Sequence, residues 1–313
     1  TAELAEWDQD RLREIIAELS GHDELIVATG FSEDELAEML KPNVEPSDEP
    51  DVIPEPPKVA VTRPGDIWEL GDHRLLCGDS TDPSAIESLM AGERADMVFT
   101  DPPYNVADGL FGTEVRRSKA VLAKSEWDKG FYFSKCEENI LGALSIDCTV
   151  YLCSSHHVAP SIWDWMSAWA DFYSFCVWHK PNPMPSLAKR HWTWSCELIC
   201  YATRGKHIFN FPESGHCPEL WEFSKVPKCD LHPTMKPISI PYHAISHSSK
   251  AGQIVGDFFA GAGSTLIACE QTGRKCRALE IAPEYCDVIV KRWENFTKRE
   301  ARLIRDGKPV SVA

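Results

Sequence analysis

Residues 253–264 read Gln253-Ile254-Val255-Gly256-Asp257-Phe258-Phe259-Ala260-Gly261-Ala262-Gly263-Ser264, and this stretch decides the fold. The apolar run to Phe259 predicts a buried strand. Gly261 and Gly263 then permit a tight turn in which backbone lies close to a ligand. A helix is expected to Thr272, a strand over 275–280, and a last helix from Pro283 to about Glu300. Strand, helix and strand in that order make half of a Rossmann-like parallel sheet.

Glu280 ends the second of these strands, 19 residues beyond Gly261, where a carboxylate can accept both hydroxyls of a ribose. The third glycine of G-x-G-x-x-G is missing, because position 266 is Leu266, and no lysine marks a phosphate loop. A nucleoside without a pyrophosphate, such as S-adenosylmethionine, therefore fits better than a dinucleotide. A purely structural glycine turn is the competing reading.

Upstream, the run Ala95-Asp96-Met97-Val98-Phe99-Thr100 predicts a second buried strand, and it leads into Asp101-Pro102-Pro103-Tyr104. Two prolines lack N–H groups and have fixed φ, so they end the strand and stiffen its loop. An acid and an aromatic are thus presented at the carboxyl end of a strand, where open α/β sheets place their ligands. Such a pair suits a planar ring bearing an amine. An exocyclic amine is a poor nucleophile, because its lone pair is shared with the ring. A carboxylate and a backbone carbonyl accepting its two hydrogens would favour rehybridisation, and a stacked aromatic would hold a base that has left the duplex.

The net charge of −16 argues against a nucleic-acid partner until it is divided. Residues 1–60 hold 17 acidic and 4 basic side chains, a balance of −13, so the rest of the chain is nearly neutral. Local basic groups occur at Arg116, Arg117, Lys119, Lys189 and Arg190, which are the expected phosphate contacts. The twelve cysteines are scattered, mostly in apolar runs, without a Cys-x-x-Cys pair. They read as reduced core cysteines of a cytoplasmic protein, and no metal site is expected. His216, Cys217, Cys229 and His232 match no zinc spacing.

Four segments are expected. Residues 1–41 form an acidic helical arm: Leu4, Trp7, Leu12, Ile15, Ile16 and Leu19 have helical spacing, and Ser32 with Glu35 makes a capping box. Residues 42–61 are a Pro/Glu-rich linker. Residues 62–306 form the main α/β domain, with aperiodic insertions at 105–135 and 184–232 facing DNA, and 307–313 is a frayed tail. No helix-turn-helix or zinc-finger pattern stands out.

The Asp101-Pro102-Pro103-Tyr104 loop together with Asp257–Gly263 resembles the amino-group DNA methyltransferases, which act on N6 of adenine or N4 of cytosine. The order, catalytic loop before cofactor glycines, resembles their beta class. Two more stretches, Trp178–Pro183 and His232–Pro237, also resemble that class, and the likeness covers roughly residues 62–300. It implies a Rossmann-like S-adenosylmethionine-dependent methyltransferase fold, circularly permuted, with a mixed seven-stranded sheet and helices on both faces. It implies that Asp101 and the Pro102 carbonyl bind the amine, that Pro103 stiffens the loop, and that Tyr104 stacks on the base. Asp257, Phe259, Gly261 and Gly263 would surround the methionine part of the cofactor, with Thr234 and Lys236 near its end. Glu280 would take the ribose and Asp79 would lie near the adenine, although core or helix-capping roles stay open for Asp79 and Thr234.

Residues 1–40 further resemble the connector that follows a ParB-like amino-terminal domain in phage and mobile-element methyltransferases, a domain expected to be missing here. The expected activity is sequence-specific N6-adenine methylation of double-stranded DNA by base flipping and direct in-line attack, in restriction-modification or a related setting, with a homodimer as one possible assembly. N4-cytosine methylation, a non-catalytic DNA-binding protein on the same fold and a dehydrogenase are the alternatives. Asp at 101 leans to adenine, since cytosine enzymes of the family more often carry Ser there.

Overall fold

Each short apolar run read above becomes a strand, and the strands join in a single sheet. The structure, a computed structural model, describes residues 53–103, 133–156, 158–183, 192–212, 214–224 and 236–310. All of these lie within one unit, Glu49–Ala313. The expected arm at 1–41, most of the linker and most of the 105–135 insertion fall outside the described residues.

The first half contains β1 (Ile67–Leu70), β2 (His73–Cys77), α1 (Pro83–Met90), β3 (Ala95–Thr100), α2 (Glu137–Ala143), β4 (Leu144–Ser154), α3 (Ala159–Ser167) and β5 (Phe172–His179). The second contains β6 (Cys196–Arg204), β7 (Leu220–Glu222), α4 (Ser239–Ser248), β8 (Ile254–Asp257), α5 (Ser264–Thr272), β9 (Lys275–Glu280), α6 (Pro283–Thr297), β10 (Arg302–Arg305) and β11 (Lys308–Val310). The strand order is β11-β10-β1-β2-β9-β8-β3-β4-β6-β5-β7.

Strands β2, β9, β8, β3 and β4 are mutually parallel, and β6 enters antiparallel between β4 and β5. Their central residues are largely apolar and buried because both faces are covered. On β3, Met97 and Phe99 join Ile240 of α4, Leu266 of α5 and Trp293 of α6, whereas Ala95 and Val98 join Leu89 of α1, Ile140 of α2 and Ile162 of α3. Asp96, the polar residue of that run, accepts from the Ile254 N–H at 2.9 Å and so satisfies the start of β8. At the N-terminus of α1, Asp82 accepts from the Ser84 N–H at 2.9 Å with Pro83 in the first turn.

Two expectations change. The sheet has eleven strands among the described residues, not seven: the seven-stranded mixed core from β2 to β5 is extended by β1, β10 and β11 at one edge and by β7 at the other. The tail is not frayed up to Val310. Asp306 and Gly307 have φ of 51° and 71°, the left-handed pair of a two-residue hairpin turn. That turn folds β11 onto β10, which pairs with β1. Arg305 seals this edge by donating to both oxygens of the buried Asp66, at 2.8 and 2.6 Å.

Candidate active site

Parallel β3 and β8 lie side by side, Met97 against Val255 and Val98 against Gly256. From β3 the chain proceeds to β4 on one side, and from β8 to β9 on the other. Where connections diverge in this way the loops part and leave a crevice at the carboxyl ends of the strands. A cleft of about 310 Å³ occupies this place. It brings Asp101 and Pro103 of one loop against Asp257, Phe259 and Gly261 of the other, and Asp79, Lys236 and Glu280 also line it. Pro102 is buried behind Asp101. Tyr104, Arg116, Arg117, Lys119, Lys189, Arg190 and Thr234 lie outside the described residues.

The cofactor-side wall is built from backbone donors and buried acids. Glu280 accepts from the Gly261 N–H at 2.8 Å and from the Ala282 N–H at 2.9 Å, one on each oxygen. Burial pushes its carboxyl up to about 7, against the pull of those two donors. Asp257 accepts from the Thr100 hydroxyl at 2.7 Å and the Phe259 N–H at 3.2 Å, and burial raises it to about 6. Gly261 and Gly263 have φ of 53° and 81°, and a Cβ on Gly263 would meet Ile289 at 3.0 Å. The turn thus needs glycine for conformation and, at 263, for space. Asp79 lines the cleft while its carboxylate accepts from the Thr81 N–H and hydroxyl, both at 2.8 Å, and the cap of α1 falls to Asp82 instead.

The catalytic-loop wall is ionic. Lys236 Nζ lies 2.5 Å from Asp101 Oδ2 and 3.4 Å from Glu197 Oε2, and Glu197 also pairs with Lys180. Lys236 was expected at the methionine end of a cofactor. It does line the cleft, held there by the Ser264 hydroxyl donating to its carbonyl at 2.8 Å, but its ammonium engages the catalytic-loop acid. Burial favours a neutral Glu197 carboxyl, yet Lys236 and Lys180 outweigh that and hold it below its ordinary value. Sequence reading missed Glu197, Lys180 and the half-exposed Ile281, which adds an apolar wall beside Glu280. The one available signal was an acid at the second position of the otherwise apolar run Cys196–Ala202.

These residues suit S-adenosylmethionine. Each Glu280 oxygen has one backbone donor and keeps a second lone pair for a ribose hydroxyl. The glycine turn brings backbone to the cleft, and Phe259 and Ile281 offer apolar surface. Fold and cleft together define an S-adenosylmethionine-dependent methyltransferase.

The chain belongs to the N6/N4 DNA methylase family: the family model described as DNA methylase matches residues 95–291. A second model, the ParB-methyltransferase helix-turn-helix domain, matches residues 10–64. This corrects the absence of a helix-turn-helix from the sequence reading. The segment's acidity conceals it, since a DNA-reading helix is expected to be basic. The type II methyltransferase M2.DpnII of Streptococcus pneumoniae is 27% identical over 231 residues, which is 66% of this chain and 85% of that protein. M2.MboI of Moraxella bovis is 27% identical over 226 residues, 64% and 81% of the two chains. Among solved structures, the M1.HpyAVI–SAM complex superposes with a TM-score of 0.53 at 21% identity, covering 70% of this chain and 98% of that one. The cytosine-N4-specific PvuII DNA methyltransferase gives 0.53 at 18% identity, covering 72% and 89%. Both likenesses are of fold.

Proposed function

We propose that this DNA methyltransferase transfers a methyl group to the exocyclic N6 of adenine within a specific sequence of double-stranded DNA, the base being flipped from the helix. The observation that carries this reading is the placement of Asp101 on a proline-stiffened loop at the same cleft as the glycine turn and Glu280. The cleft would hold S-adenosylmethionine, whose methyl group the target amine would take by direct in-line attack, the sulfur–methyl bond breaking to leave the neutral thioether and the nitrogen giving up one proton to solvent. Asp101 and the Pro102 carbonyl accept the two amine hydrogens, which turns the nitrogen lone pair out of conjugation and fixes its direction. Tyr104 stacks on the flipped base. Glu280 orients the cofactor through its ribose, Asp79 lies toward its adenine, and Asp257, Phe259, Gly261 and Gly263 enclose its methionine part, with Thr234 and Lys236 at the end of that part. Arg116, Arg117, Lys119, Lys189 and Arg190 contact phosphates, and their loss is expected to weaken DNA binding and flatten its salt dependence.

Methylation of N4 of cytosine is the second reading, favoured by the shared fold of the cytosine-N4-specific PvuII enzyme. The two amines pose one chemical problem. The test is to incubate unmethylated DNA with S-adenosylmethionine and the full chain, digest to nucleosides and weigh the products. N6-methyladenine upholds the proposal, N4-methylcytosine replaces it with the second reading, and the absence of both rejects it.

A further inference from the structure

Four charged side chains from four separate segments alternate in sign beside the cleft. Lys180 follows β5, Glu197 stands on β6, Lys236 precedes α4 and Asp101 follows β3. Lys180 pairs with Glu197, Glu197 lies 3.4 Å from Lys236, and Lys236 lies 2.5 Å from Asp101. Both lysine side chains are 7% exposed. The far end is anchored: the Lys180 N–H donates to the Ser195 carbonyl at 2.6 Å, and Lys180 Nζ lies 4.5 Å from the centre of the Trp178 ring. Trp178 is itself fixed by its indole N–H, which donates to the Phe223 carbonyl at 2.8 Å.

Burying two ammonium groups costs desolvation that apolar side chains would avoid, so such a row adds little net stability. What it does fix is geometry. We propose that Glu197 is a positioning residue for the methyl transfer: it holds the Lys236 ammonium against Asp101, so that the carboxylate is oriented before the base arrives. This rests on the reading of Asp101 as the acceptor of the target amine. With Glu197 in place the row has two positive and two negative groups. Without its charge, the Lys236 ammonium loses the carboxylate oxygen that lies 3.4 Å away and fixes it from a second side, and its position against Asp101 shifts. A displacement of about 1 Å in a reacting arrangement can lower a rate by about a hundredfold.

The experiment compares Glu197→Gln, Lys236→Met and the double variant, all in the full chain. It measures single-turnover methylation of DNA lacking modified bases, and cofactor affinity by calorimetry. Glu197→Gln is expected to lower the methylation rate by about ten- to a hundredfold while leaving the dissociation constant of S-adenosylmethionine unchanged. It should cause no further loss in the Lys236→Met background, because it acts through that lysine. An unchanged rate, or losses that multiply independently, would overturn the proposal. If Glu197→Gln does not fold, Glu197→Asp keeps the charge and withdraws it by one methylene. A slower rate at unchanged melting temperature then supports the role, and an unchanged rate removes it. Asp101→Ala, run in parallel, separates the two readings. Full activity of that variant removes the underlying assignment, whereas an inactive Asp101→Ala beside an unaffected Glu197 series removes only the positioning role.

Discussion

Two neighbouring strands, β3 and β8, each end in an acid, and the two acids are held by opposite means. Asp101, after β3, meets an ammonium group that is itself paired to Glu197. Asp257, at the end of β8, meets a hydroxyl and a backbone N–H, and no Lys or Arg among the described residues pairs with it or with Glu280. Burial without a cation raises Asp257 to about 6 and Glu280 to about 7. Burial with two cations leaves Glu197 below its ordinary value. One cleft therefore has a wall whose acids respond to pH near neutrality and a wall whose acid is held by an ammonium group. The first suits a ligand that brings hydroxyl donors, and the second suits a carboxylate that must keep one orientation through a reaction.

The largest expected effect comes from breaking the ionic wall. Asp101→Ala should lower the methylation rate by about 10²–10³-fold while calorimetry finds cofactor affinity unchanged. A parallel loss of cofactor binding would merge the two walls into one functional unit. On the other wall, Glu280→Ala should weaken cofactor binding by about a hundredfold, the lower bound for two hydrogen bonds to a charged group at about 1.5–3 kcal/mol each. Its effect on the rate at saturating cofactor should be small.

A pH titration sharpens the same contrast. On the proposed role of Glu280 the cofactor hydroxyls need its ionised form, and in the free protein that carboxyl takes up a proton as pH falls through about 7. Affinity for S-adenosylmethionine is thus fully present above this value. It should decline toward about tenfold per unit below it, with the decline absent in Glu280→Ala. A flat profile in the unaltered protein would show that the wall does not titrate there. The smallest effect is expected far from both walls. Arg302 of β10 pairs at the surface with Glu69, which lies opposite it on β1, and Arg302→Ala should change stability by no more than about 0.5 kcal/mol in a denaturant titration.

The β8–α5–β9 unit was legible almost residue by residue, because its limits are set by local chemistry. Gly263 and Gly273 adopt positive φ at the two ends of α5, and the strands on either side are short and almost wholly buried. The same holds for α1, which begins at an Asp-Pro pair. Three-residue β7 was not legible: only Trp221 of Leu220–Glu222 is buried, so the segment carries no run and little alternation. The terminal hairpin does carry a signal, the Asp306-Gly307 dipeptide, but Arg305 and Lys308 flank it and the apolar runs on either side are short. The ionic wall was illegible for a different reason. Asp101, Glu197 and Lys236 are far apart in sequence, and only the sheet order β3-β4-β6 brings their segments to one edge. Pairing between remote charges leaves no periodicity to read.

The pairing of β1 with β10 sets Ile67 opposite Ile304, so the body's first strand is bonded to the β10–β11 hairpin that follows its last helix. Joining its two ends by a short bridge would close a small loop at little entropic cost, and cutting a different surface connection would leave every ladder intact. Seen in this way the domain is a ring with one cut. The Asp101 loop precedes the glycine turn along the chain, and in space both reach the one cleft.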